Sequence, residues 1–248
     1  MSSNPADSNA RPLKPADCHI VAIIGARGGS KSLAKKNIRS LAGRPLIAWT
    51  VEAARNCALI DRVIVSTDDD EIAAIASSVG AEVPFRRPPE LSGDNVPSIS
   101  FLQHAVEWLE SRDNYRVDIV VYLQITDVFR KKYMLDETVD RLLANPGLES
   151  VFVGQPTHKN FWKKGAEGYR RLTEPEEENR QLKQPVFRED TGLAGASRVD
   201  VIKSGRRIGG RVDIIPNTDF CSSIDIHDEF DLWLAEKIIR QGQRTIND

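Results

Sequence analysis

The sequence has little of what usually assigns a protein quickly. Its 248 residues include three cysteines and four histidines. Cys18, Cys57 and Cys221 stand far apart without metal-ligand spacing, and the histidines are scattered, so the pattern indicates neither a disulfide framework nor a zinc site. The odd number of cysteines reads as reduced thiols in a cytoplasmic protein. No apolar run reaches the length of a membrane span, and the N-terminal stretch has no hydrophobic segment of the signal-peptide kind. A net charge of −2 points to neither a nucleic acid nor a membrane surface as partner. Neither G-x-x-x-x-G-K-[ST] nor G-x-G-x-x-G occurs, which excludes the common ATPase loop and the dinucleotide fingerprint. No Ser-His-Asp or Cys-His signature is present, so an enzyme nucleophile is not expected.

What is there is a regular alternation. Residues 1–18 are polar and rich in Pro, Ala and Ser, and read as a disordered leader. The rest, 19–248, reads as one domain. His19–Gly25 is a short apolar run that predicts a buried strand. Pro45 stands where a helix can begin, with Ile47, Val51 and Ala54 at helical spacing. Arg62–Thr67 predicts a second strand, Asp68–Asp70 the cap of a helix running to about Val79, and Glu82–Phe85 a third strand. A helix from Ser98 to Glu110, a strand from Asp118 to Leu123, a helix from Leu135 to Leu143 and a strand from Ser150 to Val153 follow. This order predicts an α/β fold, a Rossmann-like, mostly parallel sheet with helices on both faces. Residues 155–190 are polar and break the pattern, and read as an inserted arm. Beyond it, Arg198–Ile202 and Arg211–Ile215 are expected as strands flanking Gly209–Gly210. A last helix from Asp228 is expected to bury Phe230, Leu234 and Ile238.

Ligands of such sheets bind beyond the carboxyl ends of the strands. Just there, Arg27–Arg44 holds six Lys or Arg residues and no acid. Gly28 and Gly29 allow close backbone approach, so successive N–H groups can cradle a phosphate. Arg27, Lys31 and Lys36 add charge-assisted bonds, each worth roughly 1.5–3 kcal/mol.

At these residues the sequence resembles the acylneuraminate cytidylyltransferase family, which makes CMP-sialic acid and CMP-activated relatives. The likeness runs through Ala26-Arg27-Gly28-Gly29-Ser30-Lys31, Lys36-Asn37, Gly43-Arg44-Pro45-Leu46 and Arg62–Asp68. It continues in Arg87-Pro88-Pro89-Glu90-Leu91, Leu123-Gln124 with Thr126 and Arg130, and Ser223-Ile224-Asp225-Ile226. The resemblance implies a CTP-dependent transfer of CMP to a small acidic acceptor, with release of pyrophosphate. It implies Mg²⁺ as cofactor, and a homodimer built through the arm. Arg27 and Lys36 would contact the CTP phosphates, with Ser30, Lys31 and Asn37 shaping the loop. Arg87 and Ser98 fall where the family handles cytidine, Gln124 where it holds the acceptor, and Asp225 at a metal-binding aspartate.

The departures cluster on the acceptor side. Many family members carry Q-P-T-S-P-L-R where this chain has Gln124-Ile125-Thr126-Asp127-Val128-Phe129-Arg130. Where N-G-A is common after the arm, Arg188-Glu189-Asp190-Thr191-Gly192 stands here. His227 replaces the second aspartate of the D-I-D element before the last helix. Mg²⁺ needs one or two carboxylates together with phosphate oxygens and water. Asp127 can supply the missing carboxylate, as the related CMP-Kdo synthetases have an aspartate in that loop; Asp228 is a second candidate, or Asp225 alone suffices. Gln124, Arg130, Arg188 and Asp190 are the acceptor-side candidates. Two lost prolines reshape that wall, which favours an acidic sugar other than plain N-acetylneuraminate. A phosphonate acceptor, or a non-catalytic nucleotide-binding homologue, is the alternative.

Overall fold

A computed structural model describes residues 14–29, 33–173 and 183–241. Ser30 and Lys31 of the basic loop, residues 1–13 of the expected leader and residues 174–182 of the arm lie outside the described residues. Residues 14–18 form a turn, with Lys14 Nζ donating to the Leu59 carbonyl at 3.1 Å.

Strand β1 (Ile20–Gly25) is the middle of the parallel half. Its neighbours are β2 (Arg62–Ser66) and β3 (Ile119–Leu123), both parallel to it. The far side holds β4 (Ser150–Thr157), β5 (Trp162–Gly165), β6 (Gly168–Arg171), β7 (Val186–Glu189), β8 (Gly195–Arg198) and β9 (Val212–Pro216). The main sheet runs β9-β4-β8-β3-β1-β2, with β7 pairing the end of β4. Only β8 and β7 run against the others, so the sheet is mostly parallel as the alternation predicts.

Period-two alternation in β1 divides the core. Ile20, Ala22 and Ile24 join one buried cluster, with Ile47, Val51 and Ala54 of α1 (Leu46–Arg55) and Leu135, Val139 and Leu142 of α4 (Lys132–Ala144). Val21 and Ile23 join the other, with Phe101, Leu102, Ala105 and Leu109 of α3 (Ser98–Ser111). Helices therefore cover both faces. Helix α2 (Asp70–Ser78) starts as its sequence predicts: the Asp69 side chain accepts from Ile72 N at 2.9 Å, and Asp70 and Glu71 favour the positive end of the helix.

Four local expectations are corrected. Glu82–Phe85 is not a strand: Glu82 alone bridges Ile64, because Pro84 has no N–H for a ladder. Arg198–Ile202 is mostly the short helix α5 (Val199–Lys203), and the strand is β8. Val199, Val201 and Ile202 suit one helical turn as well as a strand, and so short a run cannot decide. Nor do β8 and β9 form a hairpin, since β4 lies between them. In α6 (Glu229–Arg240) the inward stripe is Leu232 and Ala235, while Phe230 is 64 % exposed and stacks on Trp233. The capping box of Asp228 and Asp231 sets that helical phase.

Candidate active site

The chain goes from β1 to β2 on one side and then crosses to β3 on the other. This reversal opens a crevice beyond the strand ends. A cleft of about 790 Å³ lies there. Arg27, Lys36, Asn37, Arg87, Ser98 and Gln124 all line it, together with Tyr122 and His227. A backbone approach is built into its floor: a Cβ at Gly25 would stand 2.5 Å from the Phe101 ring.

The basic loop supplies the cationic wall. Asn37 Nδ2 donates to the Arg27 carbonyl at 2.8 Å and ties the two halves of the loop together. Arg27 Nη1 pairs with Asp94 from the opposite rim at 2.5 Å, and both side chains remain about a third exposed. Gly28 N–H donates to Asp68 Oδ1 at 2.9 Å, so this amide already has an acceptor, whereas a Cβ at Gly29 would meet open space. Lys36 is half-buried. Burial pushes its ammonium below the usual lysine range, against the opposing field of Asp225 and with help from Arg27. Lys36 therefore stands within electrostatic reach of both Arg27 and Asp225.

Arg87 is buried, its Nε donating to Ser66 Oγ at 3.0 Å and its guanidinium lying 4.5 Å from the Phe101 ring centre. Desolvation pushes it down to about 10, opposed chiefly by Asp68. Ser98 opens α3, and its hydroxyl accepts from Arg207 Nη1 at 3.3 Å.

The acceptor-side candidates form a second layer. Gln124 reaches the cleft while its backbone is fixed: its N–H donates to the Gly192 carbonyl at 3.0 Å and its carbonyl accepts from Arg130 Nη2 at 3.0 Å. Arg130 is buried and does not line the cleft. Its guanidinium goes to the carbonyls of Gln124, Gly192 and Leu193, which it holds from behind. Arg188 makes a two-pronged pair with Asp190, at 2.8 and 3.1 Å, outside the cleft lining. That pair raises Arg188 above its ordinary value.

Asp127 is partly buried and packs against Gly192 beside Gln124. Desolvation, then the charge of Asp225, pushes its carboxyl up to about 7, while Arg130 pulls the other way. Asp225 Oδ2 meets His227 Nε2 at 2.8 Å, but its Oδ1 is buried with no hydrogen-bond partner. A carboxyl that Asp225 makes harder to ionise, together with the orphaned oxygen of Asp225 itself, suits a divalent cation completed by phosphate oxygens. The described residues contain no group of three or more His, Cys, Asp or Glu side chains able to hold a metal without a ligand's help. Asp228 is used otherwise: it caps α6, accepting from Phe230 N and Asp231 N at 2.9 and 3.0 Å.

Three wall residues escape a reading of the sequence. Tyr122 has one weak signal, a polar-tipped aromatic near the end of an otherwise aliphatic strand. Arg207 lies 5.1 Å from the Tyr122 ring centre and pairs with Glu189 at 2.6 Å, yet its sequence neighbours look like an ordinary basic turn. His227 is visible only as the residue that replaces an aspartate.

Fold and cleft together define an α/β protein with a crevice lined by cations at the switch point of its sheet. The chain belongs to the cytidylyltransferase family, whose sequence model matches residues 21–193. N-acylneuraminate cytidylyltransferase A of Danio rerio is 32% identical over 251 residues, a match covering 98% of this chain and 56% of that protein. The chain thus spans little more than half the length of that relative. CMP-N,N'-diacetyllegionaminic acid synthase of Legionella pneumophila is 29% identical over 92% of this chain and 99% of its own. In fold, the chain is similar to a CMP:2-keto-3-deoxy-manno-octonic acid synthetase solved with CTP, with TM-score 0.68 at 16% identity, over 90% of this chain and 99% of the other.

Proposed function

We propose that the protein transfers CMP from CTP to an acidic sugar of the nonulosonic class and releases pyrophosphate. The observation that carries this reading is the cleft's polarity. Arg27 and Lys36 line the cleft together with His227 and Gln124; Asp225 pairs with His227, and Asp127 lies beside Gln124 at Gly192. A triphosphate laid between them has its outer phosphates at the cations and its α-phosphorus toward the acceptor side.

An acceptor oxygen attacks the α-phosphorus, the bond to the β-phosphate oxygen breaks, and pyrophosphate departs. Arg27 and Lys36 offset the charge that builds on the leaving group, with Ser30 and Lys31 completing the loop. Asn37 holds the loop's shape through the Arg27 carbonyl. Arg87 and Ser98 face the nucleoside, and Gln124 orients the acceptor, backed by Arg130, Arg188 and Asp190. Asp225 and Asp127 would hold Mg²⁺, which would supply charge neutralisation at the phosphates and lower the acceptor hydroxyl's pKa.

The protein acts in the cytoplasm as a homodimer joined through the β5–β6 hairpin. That arm displays Trp162 at 59 % and Tyr169 at 68 % exposure, aromatic surface of the kind interfaces bury. Among the described residues no helix is long and apolar enough to cross a membrane.

A pyrophosphate-release screen tests the reading, with CTP, UTP, ATP and GTP against nonulosonic acids, Kdo-type sugars and phosphonates. Turnover is expected with CTP and a nonulosonic acid. Turnover with phosphonates alone shifts the acceptor class, and CTP binding without turnover on any acceptor overturns the activity.

A further inference from the structure

A second pocket, of about 290 Å³, lies where α1 ends and α4 begins. Ala53, Asn56, Arg130, Lys131, Lys132 and Leu135 line it. We infer that this pocket is a binding site for a phosphate-type oxyanion, orthophosphate or pyrophosphate, separate from the cleft and joined to it through Arg130.

Three independent features point to an anion. Arg130 is 1% exposed, and its Nη1 has no hydrogen-bond partner although Nε and Nη2 are fully engaged. A buried cation with an unmet donor is costly, and a ligand oxygen relieves that cost.

The second feature is the start of α4, a helix of 13 residues. No side chain caps its first turn, and no acid lies in it. Its leading N–H groups carry the positive end of the helix dipole toward the pocket's rim. Third, Arg130, Lys131 and Lys132 are consecutive cations at this mouth. Lys132 Nζ is held by Asp136 at 2.8 Å, whereas Lys131 has no side-chain partner among the described residues. The volume selects the ligand's size. Pockets for drug-sized molecules run from about 300 to 1,000 Å³, so this one suits a small oxyanion better than a whole nucleotide.

Occupancy has a route to the cleft. Arg130 holds the carbonyl of Gly192, and the same carbonyl accepts from the amide of Gln124, which lines the cleft. An anion that anchors Arg130 therefore stiffens the strand-to-loop junction at Gln124. Binding itself does not depend on the proposed transfer reaction.

The test is calorimetric titration of the full chain with inorganic phosphate and, separately, pyrophosphate, for wild type, Lys131→Ala, Asn56→Asp and Arg27→Ala. Thermal melts establish that each variant is folded. Pyrophosphate, as the leaving group, also occupies the cleft, in an event lost in Arg27→Ala; binding at the pocket is a separate event, expected for at least one of the two anions, and the two arms show which. Lys131→Ala weakens it by about tenfold, the loss of one charge-assisted contact. Asn56→Asp, which sets a carboxylate in the pocket, abolishes it, and Arg27→Ala leaves it unchanged. Hydrogen exchange at the Gln124 amide slows when the anion is bound. Absence of binding, binding indifferent to both pocket variants, or loss of every binding event in Arg27→Ala overturns the assignment.

Discussion

Asp127→Asn is the substitution whose consequences the structure fixes most fully. In the folded chain this carboxyl is held at about 7 instead of its ordinary 3.8, mainly because it is buried and secondarily because Asp225 faces it. A raised carboxyl makes the folded state bind its proton more tightly than the unfolded chain does. Its contribution to stability is therefore complete below pH 3.8, declines as pH rises, and is gone above about 7. At 1.36 kcal/mol per pH unit, ionised Asp127 costs about 1.5 kcal/mol at pH 5 and at most about 4 kcal/mol at pH 8. Asparagine has nearly the same shape and no charge to bury. Urea unfolding without divalent metal is the assay, run on both proteins from pH 4 to pH 8. The variant should match wild type at pH 4 and exceed it by a few kcal/mol at pH 8, while losing on the order of 10²-fold in turnover with Mg²⁺. Parallel stability curves for the two proteins across this range would refute the claim that Asp127 is a buried acid facing Asp225.

Other expectations follow from the same geometry. Arg27→Ala and Asp225→Ala should each reduce turnover by about 10²-fold or more at unchanged Tm, read by pyrophosphate release, since both act on charge developed in the reaction. Gly192→Ala puts a methyl group against the Asp127 carboxylate and 3.0 Å from Gln124 Cδ. It should cost about 1–3 kcal/mol in chemical denaturation and raise the acceptor KM, because the clash cannot be relieved without moving that wall. Replacing both Trp162 and Tyr169 by Ser should convert a dimer to monomers in light scattering without lowering the monomer's Tm, because neither side chain packs into a core.

The central features were legible because they rest on local rules. Ile20–Gly25 alternates between two cores, Asp69 caps α2 from the position its sequence suggests, and the glycine turn with its cations lies at a strand's end. The misreadings have separate causes: a run too short to decide, a cap that resets a helix face, and partners remote in the sequence. Val199–Lys203 is too short for its periodicity to decide between helix and strand. Phe230 looked like core, but the phase of α6 follows from the Asp228 cap and turns that ring outward. Arg130 looked like an arginine lining the acceptor pocket, but it lies outside the cleft, with Nε and Nη2 on the carbonyls of Gln124, Gly192 and Leu193. Two of these lie more than sixty positions away in the sequence. Arg207, equally remote from Tyr122 and Ser98 in the chain, meets them only through the fold.

The central claim is that a cationic turn at the mouth of a mostly parallel sheet grips the triphosphate of CTP. Calorimetric titration with CTP, UTP, ATP and GTP in the presence of Mg²⁺, on wild type and Arg27→Ala, tests it most directly. The account predicts that CTP binds in preference to the other three and that Arg27→Ala weakens this binding by at least about tenfold. A folded wild-type protein that takes up none of the four nucleotides, or an Arg27→Ala variant that binds CTP as tightly as wild type, contradicts it.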